Sequence, residues 1–305
     1  MFAVAVLAAA VRAGTPVLFA TLGELLAERS GILNLGVEGM MLVGALAGFV
    51  TTVETGHPWL GVLVAGAAGG ALSLIHAVLC ITLRANQVAS GLALTIFGTG
   101  LSAALGRTFV GVPASGFHAT PVPGLAGIPL VGPVLFQQDP LVYLSYLLVP
   151  AAWIVLYRTR WGLEIRATGE HPEAADAMGV DVAGVRYACV AAGGVLAGIG
   201  GTFLSIAYTG MWIENMTAGR GWIAVALVIF ATWDPLRAAA GAYLFGGVNA
   251  LQLNLQAAGA RLPVYLLLMT PYVFTILVLV FATRQTARRR LGAPAALSVP
   301  YSRTG

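Results

Sequence analysis

Lysine is absent. All 16 basic residues of the 305-residue chain are arginine, which excludes chemistry that needs a lysine amine, including the phosphate-binding loop of a nucleotide hydrolase. Charge of either sign is scarce, at 9% of residues against roughly 25% in an average soluble domain, so a soluble enzyme is excluded as well. There are two cysteines, and both Cys80 and Cys189 fall in apolar runs without ligating neighbours. That excludes a disulfide framework or a metal site and leaves core packing. An H-E-x-x-H motif, a G-x-S-G serine motif and paired aspartates within apolar runs are missing too, which argues against an intramembrane enzyme.

What is present is apolar: 58% of residues are hydrophobic and mean hydropathy is +0.87. Runs without formal charge cover 55–83, 85–106, 140–157, 187–213, 238–260 and 262–283. A membrane-crossing helix needs about 20 such residues at 1.5 Å each. The pattern predicts an all-α, polytopic transmembrane helical bundle with helices at 2–23, 37–53, 59–83, 87–106, 140–157, 185–207, 220–233, 236–256 and 263–283. Met1–Val11 lacks a basic leader and a cleavage site and reads as part of a first membrane helix. Two segments leave the count at about eight to ten spans. Residues 24–38 carry Glu24, Glu28, Arg29, Asn34 and Glu38 among glycines, and read as a short connection or as a broken segment facing a cavity. Residues 208–222 precede an apolar run, 221–233, too short to cross about 30 Å alone.

Half of the formal charges sit in 158–186 and 284–305. The arginine bias puts both on the cytoplasmic side and the arginine-poor loop 107–139 outside. This divides the chain into a membrane domain, 1–285, with a cytoplasmic loop at about 158–184, and an Arg-rich cytoplasmic tail, 286–305. In the tail, Arg288–Arg290 suit anionic lipid headgroups; nucleic-acid binding does not fit so short a basic run beside a membrane helix. The G-x-x-x-G pairs Gly44/Gly48, Gly66/Gly70 and Gly194/Gly198 each lie on one helical face, as close helix packing requires. Trp59, Trp161 and Trp233 near helix ends read as interfacial anchors. His57 and His118 belong to exposed loops and His76 to packing.

Polar residues inside apolar runs are expensive, and they face either a pathway or one another. They form three groups: Asn34 with Glu38, Asn86 with Gln87 and Ser90, and Asn249, Gln252 and Gln256 on one face of 236–256. Glu38 is the strongest, because a buried carboxylate needs a partner. In 166–180 (RATGEHPEAADAMGV), Pro172 suits a first helical position, Glu173 and Asp176 the positive end of a helix dipole, and Gly179 a terminator. That predicts a two-turn surface helix with Ala174, Ala175 and Met178 as an apolar ridge, either a docking element or a solvated connector.

This loop resembles the coupling-helix segment of ABC transporter permeases of the branched-chain amino acid and simple-sugar import class. Residues 28–45 (ERSGILNLGVEGMMLVGA), 86–94 (NQVASGLAL) and 218–236 (AGRGWIAVALVIFATWDPL) are similar to the nucleoside importers of that class, and the likeness covers about residues 10–285. The resemblance implies a multi-pass permease subunit of the cell membrane, carrying nucleosides or a related sugar-containing solute by alternating access, with a cytoplasmic C-terminus. It also implies a cytoplasmic ABC ATPase, a second related permease and an extracytoplasmic substrate-binding lipoprotein as partners, besides membrane lipids. No cofactor is implied for this chain; ATP and Mg belong to the ATPase, and the chain is not itself an enzyme. Gly169, Glu170, Pro172, Ala174, Ala175 and Gly179 match the coupling motif, and His171 stands where the family often has asparagine. Simple sugars and branched-chain amino acids are the alternative cargoes, and an ion-coupled secondary transporter working through Glu38 or Glu214 is the alternative mechanism.

Overall fold

The computed structural model describes residues 2–257, 266, 269–277, 280 and 292–302. Its named helices are α1 (Phe2–Arg29), α2 (Val37–Thr55), α3 (Pro58–Ala77), α4 (Gln87–Gly106), α5 (Val131–Leu135), α6 (Pro140–Arg158), α7 (Arg160–Glu170), α8 (Pro172–Ala177), α9 (Val182–Thr202), α10 (Arg220–Phe230) and α11 (Pro235–Ala257). The described residues contain no β-strand, only isolated bridges pairing Val110 with Trp212 and Pro113 with Met211. Local chemistry starts several of the helices. Asn86 Oδ1 accepts from Ala89 N at 2.9 Å, Asp139 Oδ1 from Leu141 N at 3.0 Å, and Asp181 Oδ1 from Gly184 N at 3.0 Å. Each bond satisfies a backbone donor that the first helical turn leaves free.

Among the described residues, six helices are long and apolar enough to cross a membrane: Ala3–Arg29, Val37–Thr55, Pro58–Thr82, Gln87–Phe109, Pro140–Arg158 and Val182–Tyr208. The all-α polytopic bundle expected from the charge-free runs is the observed fold. The first helix runs past the expected residue 23 to Arg29, so the break between α1 and α2 narrows to residues 30–36. About half of the expected span 263–283 lies outside the described residues, as do Arg284, Arg288–Arg290 and Arg303.

The bundle has two distinct ends. Gly169 packs on the Arg29 carbonyl, placing the end of α1 beside the 159–181 segment at what we call the charged end. At the loop end, Gln138 donates to Ala8 O at 3.3 Å, and residues 110–114 meet 210–212. Between these ends the chain passes eight times among the described residues. The seventh pass is unusual. From Tyr208 at the loop end the chain descends irregularly through 209–219, then continues as the short helix α10 to Trp233, whose carbonyl accepts from Arg29 Nε at 3.2 Å at the charged end. The apolar run too short to span alone is thus completed by non-helical backbone.

Helix α9 is the hub. Gly193 and Gly200 lie against Gly23 and Pro16 of α1, Gly194 and Gly198 against Gly69 and Ala65 of α3, and Gly198 and Gly201 against Gly44 and Met41 of α2. Without side chains at these points, backbones reach contact, which supplies dispersion and close packing where water expulsion contributes little. The pairs Gly44/Gly48 and Gly194/Gly198 act as expected. Among the α3 glycines that face α9, the tightest approach belongs to Gly69, whereas Gly66 and Gly70 meet the side chains of Val195 and Ile199. A Cβ on Gly44 would lie 2.6 Å from the Gly198 carbonyl oxygen, while one on Gly100 meets nothing within 4 Å. Gly44→Val should therefore lower stability by about 3 kcal/mol, and Gly100→Ala should leave it unchanged or raise it by about 0.5 kcal/mol. Thermal unfolding of the two variants in detergent measures the contrast.

Candidate functional site

Glu38 lies in the first turn of α2 and is buried. Its Oε1 accepts hydrogen bonds from the Thr217 hydroxyl and from Gly219 N at 2.7 Å, and its Oε2 accepts from Gly221 N at 2.6 Å. The partner required by a buried carboxylate is thus the start of α10. Two positive helix ends, those of α2 and α10, converge on one carboxylate. The local sequence is shaped for this contact. Gly219 sits at φ +82, where only glycine is at ease, and a Cβ on Gly221 would lie 2.6 Å from the Glu38 Cα. Since α10 carries the chain from here to the charged end at 1.5 Å per residue, the junction lies roughly 16 Å from that end, inside the bundle.

The other break, residues 30–36, is tied by a second polar network. Asn34 N donates to Glu24 Oε1 at 2.8 Å, and the Asn34 side chain accepts from Gly36 N at 3.0 Å. Leu33 N donates to Gln87 Oε1 at 2.7 Å, and the Leu33 carbonyl lies 3.1 Å from His76 Nε2. His76 Nδ1 meets the Ser90 hydroxyl at 2.9 Å, so the histidine is satisfied on both nitrogens. Asn34, Gln87 and Ser90 therefore come together around the first break, and Glu38 joins it to the second. Asn86 is set apart as the exposed cap of α4. Asn249, Gln252 and Gln256 lie in the half of α11 toward the loop end, and the structure does not bring them to this junction.

Sequence reasoning missed several members. Glu24 and Glu28 look like a solvated connection but are buried in α1. Trp233 is no interfacial anchor: it is 2% exposed, and its Nε1 donates to Glu28 Oε2 at 2.6 Å. Glu24 and Glu28 thereby tie the first break and the end of α10 to the same helix. The available signal was their i, i+4 spacing, which puts both carboxylates on one face.

At the charged end, α8 is a six-residue helix with His171 as its N-cap residue, whose side chain makes no capping bond. Met178 is 85% exposed, Glu170, Ala174 and Gly179 are exposed, and Pro172 is partly so. Ala175 departs from the expected ridge and turns inward, because so short a helix must rest one side on the bundle; Gly169 is buried too. At the loop end, a cavity of about 250 Å³ is lined by Arg12, Phe117, His118, Tyr208 and Thr209 among others. Arg12 donates to Ala207 O at 2.8 Å and lies 3.9 Å from Asp139, whose carboxyl burial pushes above its ordinary range against the opposing pull of Val142 N–H and Arg12.

A multi-pass helical membrane protein with broken helices meeting inside the bundle and a short helix at one end has the build of a transport permease. The model of the family described as "Branched-chain amino acid transport system / permease component" matches residues 6–283, and the chain belongs to that family. It is 48% identical over 324 residues to a Haloferax volcanii protein named provisionally as a glucose ABC transporter permease, covering 99% of this chain and 98% of the relative. It is 35% identical over 301 residues to the guanosine ABC transporter permease protein of Bacillus subtilis, covering 92% of each. It is 36% identical over 278 residues to the nucleoside ABC transporter permease protein of Lactococcus lactis, covering 87% of this chain and 88% of the relative. No solved structure matches it. The protein is therefore a permease subunit of the ABC importer type, and members of this family are not enzymes themselves.

Removing the Glu38 carboxylate leaves three donors at the junction without an acceptor. Glu38→Ala should lower stability by about 3 kcal/mol and open 209–219 to protease, while Glu38→Gln, which keeps an acceptor oxygen, should lose less. Thermal unfolding with limited proteolysis reads both.

Proposed function

We propose that this permease moves a solute containing a sugar ring, with nucleosides as the first candidate, and that an ATPase docked on α8 drives it. The observation that carries the docking reading is α8 itself: a short helix that rests on the bundle through Ala175 and exposes Ala174, with Met178 exposed just past its end. A groove on a cytoplasmic ABC ATPase fits such a ridge, and ATP with Mg belongs to that subunit, consistent with a chain that has no lysine to build a phosphate loop. In this reading the charged end and the C-terminus face the cytoplasm, a second related permease completes the pathway, and a binding lipoprotein delivers solute at the loop end. The coupling residues are Gly169, Glu170, Pro172, Ala174, Ala175 and Gly179.

The pathway is assigned to the two breaks. Broken helices inside the bundle supply free backbone groups and positive helix ends inside a membrane, where transport folds hold polar cargo. Asn34, Glu38, Gln87 and Ser90 gather there; Asn86, Asn249, Gln252 and Gln256 belong to the same pathway only if the partner permease brings them to it. The nucleoside assignment is supported by the likeness of 28–45 and 86–94 to nucleoside importers and by two relatives named for guanosine and nucleosides. A hexose is the second reading, favoured by the relative named for glucose at 48% identity.

Two results are expected. With the cognate ATPase, partner permease and lipoprotein reconstituted in liposomes, Ala174→Arg should cut solute uptake at least tenfold while ATP hydrolysis and membrane assembly persist; unchanged uptake refutes the docking role. In a competition assay on the same preparation, unlabelled guanosine should displace uptake at lower concentration than glucose, and the reverse order moves the cargo to hexoses.

A further inference from the structure

Residues 292–302 form a turn-rich strap across the charged end, and its contacts are specific. Ala296 N donates to Gly169 O at 2.9 Å, and Ala295 N to Glu170 Oε2 at 3.3 Å. Two residues on, Ser298 N donates to Gly31 O at 3.1 Å, and Arg29 Nη1 donates to Gly292 O at 3.3 Å. Ala296 is buried, and Leu297 packs on the cluster formed by Leu25, Ile165 and Trp233. The Arg186 guanidinium carbon stands 5.9 Å from the centre of the Tyr301 ring. Gly169 is enclosed between the end of α1 and Pro294, and a Cβ on Gly31 would lie 3.2 Å from the Ala296 carbonyl oxygen. The strap therefore touches the coupling segment with one edge and the first helix break with the other, both through backbone atoms.

From this geometry we propose that the strap is a positioning element of the transport cycle, transmitting movement of α8 to the break at residues 30–36. The proposal rests on the reading of α8 as the ATPase contact. The path is short and continuous. From α8 it passes through Gly169 and Glu170 to Ala295 and Ala296, then through Ser298 to Gly31. The 30–36 segment continues to Asn34 and so to Glu38, which holds the start of α10. Gly169 of α7 also packs on the Arg29 carbonyl at the end of α1, and Arg186 of α9 donates to Ser30 O; the strap's two backbone bonds add directional links from the coupling segment to Gly31 that apolar packing lacks. Its small residues fit the role, since Ala295 and Ala296 let the backbone approach both neighbours.

The test uses the complete transporter in liposomes, measuring solute imported per ATP hydrolysed. Ala296→Pro removes the N–H that reaches Gly169, and Ala296→Gly keeps it. The proline variant should lower the ratio roughly fivefold, as expected for losing about one hydrogen bond's net energy from a coupling contact, while the glycine variant should match the unsubstituted protein. A chain ending at residue 291 should show at least the proline effect and covers the case in which Ala296→Pro fails to assemble. A strap that only stabilises the fold would lower the thermal midpoint and leave the ratio of imported solute to ATP intact; that result in either variant overturns the proposal. Ala174→Arg run alongside separates the two ideas. If it uncouples and the strap variants do not, the strap proposal falls alone; if it does not uncouple, the docking reading falls first.

Discussion

The structure depends on backbone-to-backbone contact along α9. A helix bundle in lipid gains little from expelling water between its members, so association rests on dispersion and on how closely the helices approach. Glycines on several sides of α9 let α1, α2 and α3 approach it at once, and Gly14 and Gly246 do the same between α1 and α11. Placing each of these neighbours fixes the next. Once α1 lies against α9, Glu24 and Glu28 are committed to the interior; once α2 does, Glu38 faces the place where α10 begins. With the helices so placed, two carboxylates of α1 and one of α2 are buried beside donors from elsewhere in the chain.

The two kinds of contact behave differently under load. Glycine-mediated packing is broad, made of many weak atom pairs that all fail together if a helix shifts. The junction at Glu38 is made of a few directional bonds, each worth only about 1 kcal/mol net when exchanged for an equivalent partner but more when left unmade. A carboxylate bound to Thr217, Gly219 and Gly221 can therefore yield cheaply only where other donors replace these three. Water or the hydroxyl groups of a polar solute are such donors, which is why a buried polar junction of this kind suits a transport role better than an equally buried apolar seam would.

How much of this was legible in the sequence follows from the range of the interactions. The long helices between 37 and 257 were legible because a span is a local property, a charge-free run of the right length; the short α5 and α7 were not expected. The end of α1 was not, since Glu24, Glu28 and Arg29 have the composition of a solvated connection, and only Asn34 and Trp233, brought by the tertiary fold, make their burial tolerable. Glu38 could be recognised as needing a partner, but two of its three donors are backbone N–H groups, and backbone leaves no mark in composition beyond Gly219 and Gly221. The inward turn of Ala175 was hidden for a related reason. In a helix of six residues the periodicity is too short to say which side rests on the bundle. The strap at 292–302 was invisible for the opposite reason: alanines, prolines and a leucine without periodicity carry no signal until their neighbours are known.

The scarcity of charge takes on a physical meaning here. Lysine's flexible ammonium snorkels toward water, and a chain that must bury its basic groups beside carbonyls does better with arginine, whose planar fork loses less freedom per bond formed. Arg12, Arg29 and Arg186 all donate to backbone carbonyls of other segments, at Ala207, Trp233 and Ser30. Of these, Arg29 and Arg186 flank the first break at the charged end, where Arg29 also reaches the strap and Arg186 faces Tyr301. These arginines fasten irregular backbone to helices at the points where the bundle lacks regular structure. Of the arginines that set the charge bias along the sequence, Arg186 thus also secures a non-helical segment, so sidedness and the tying of the first break meet in one residue.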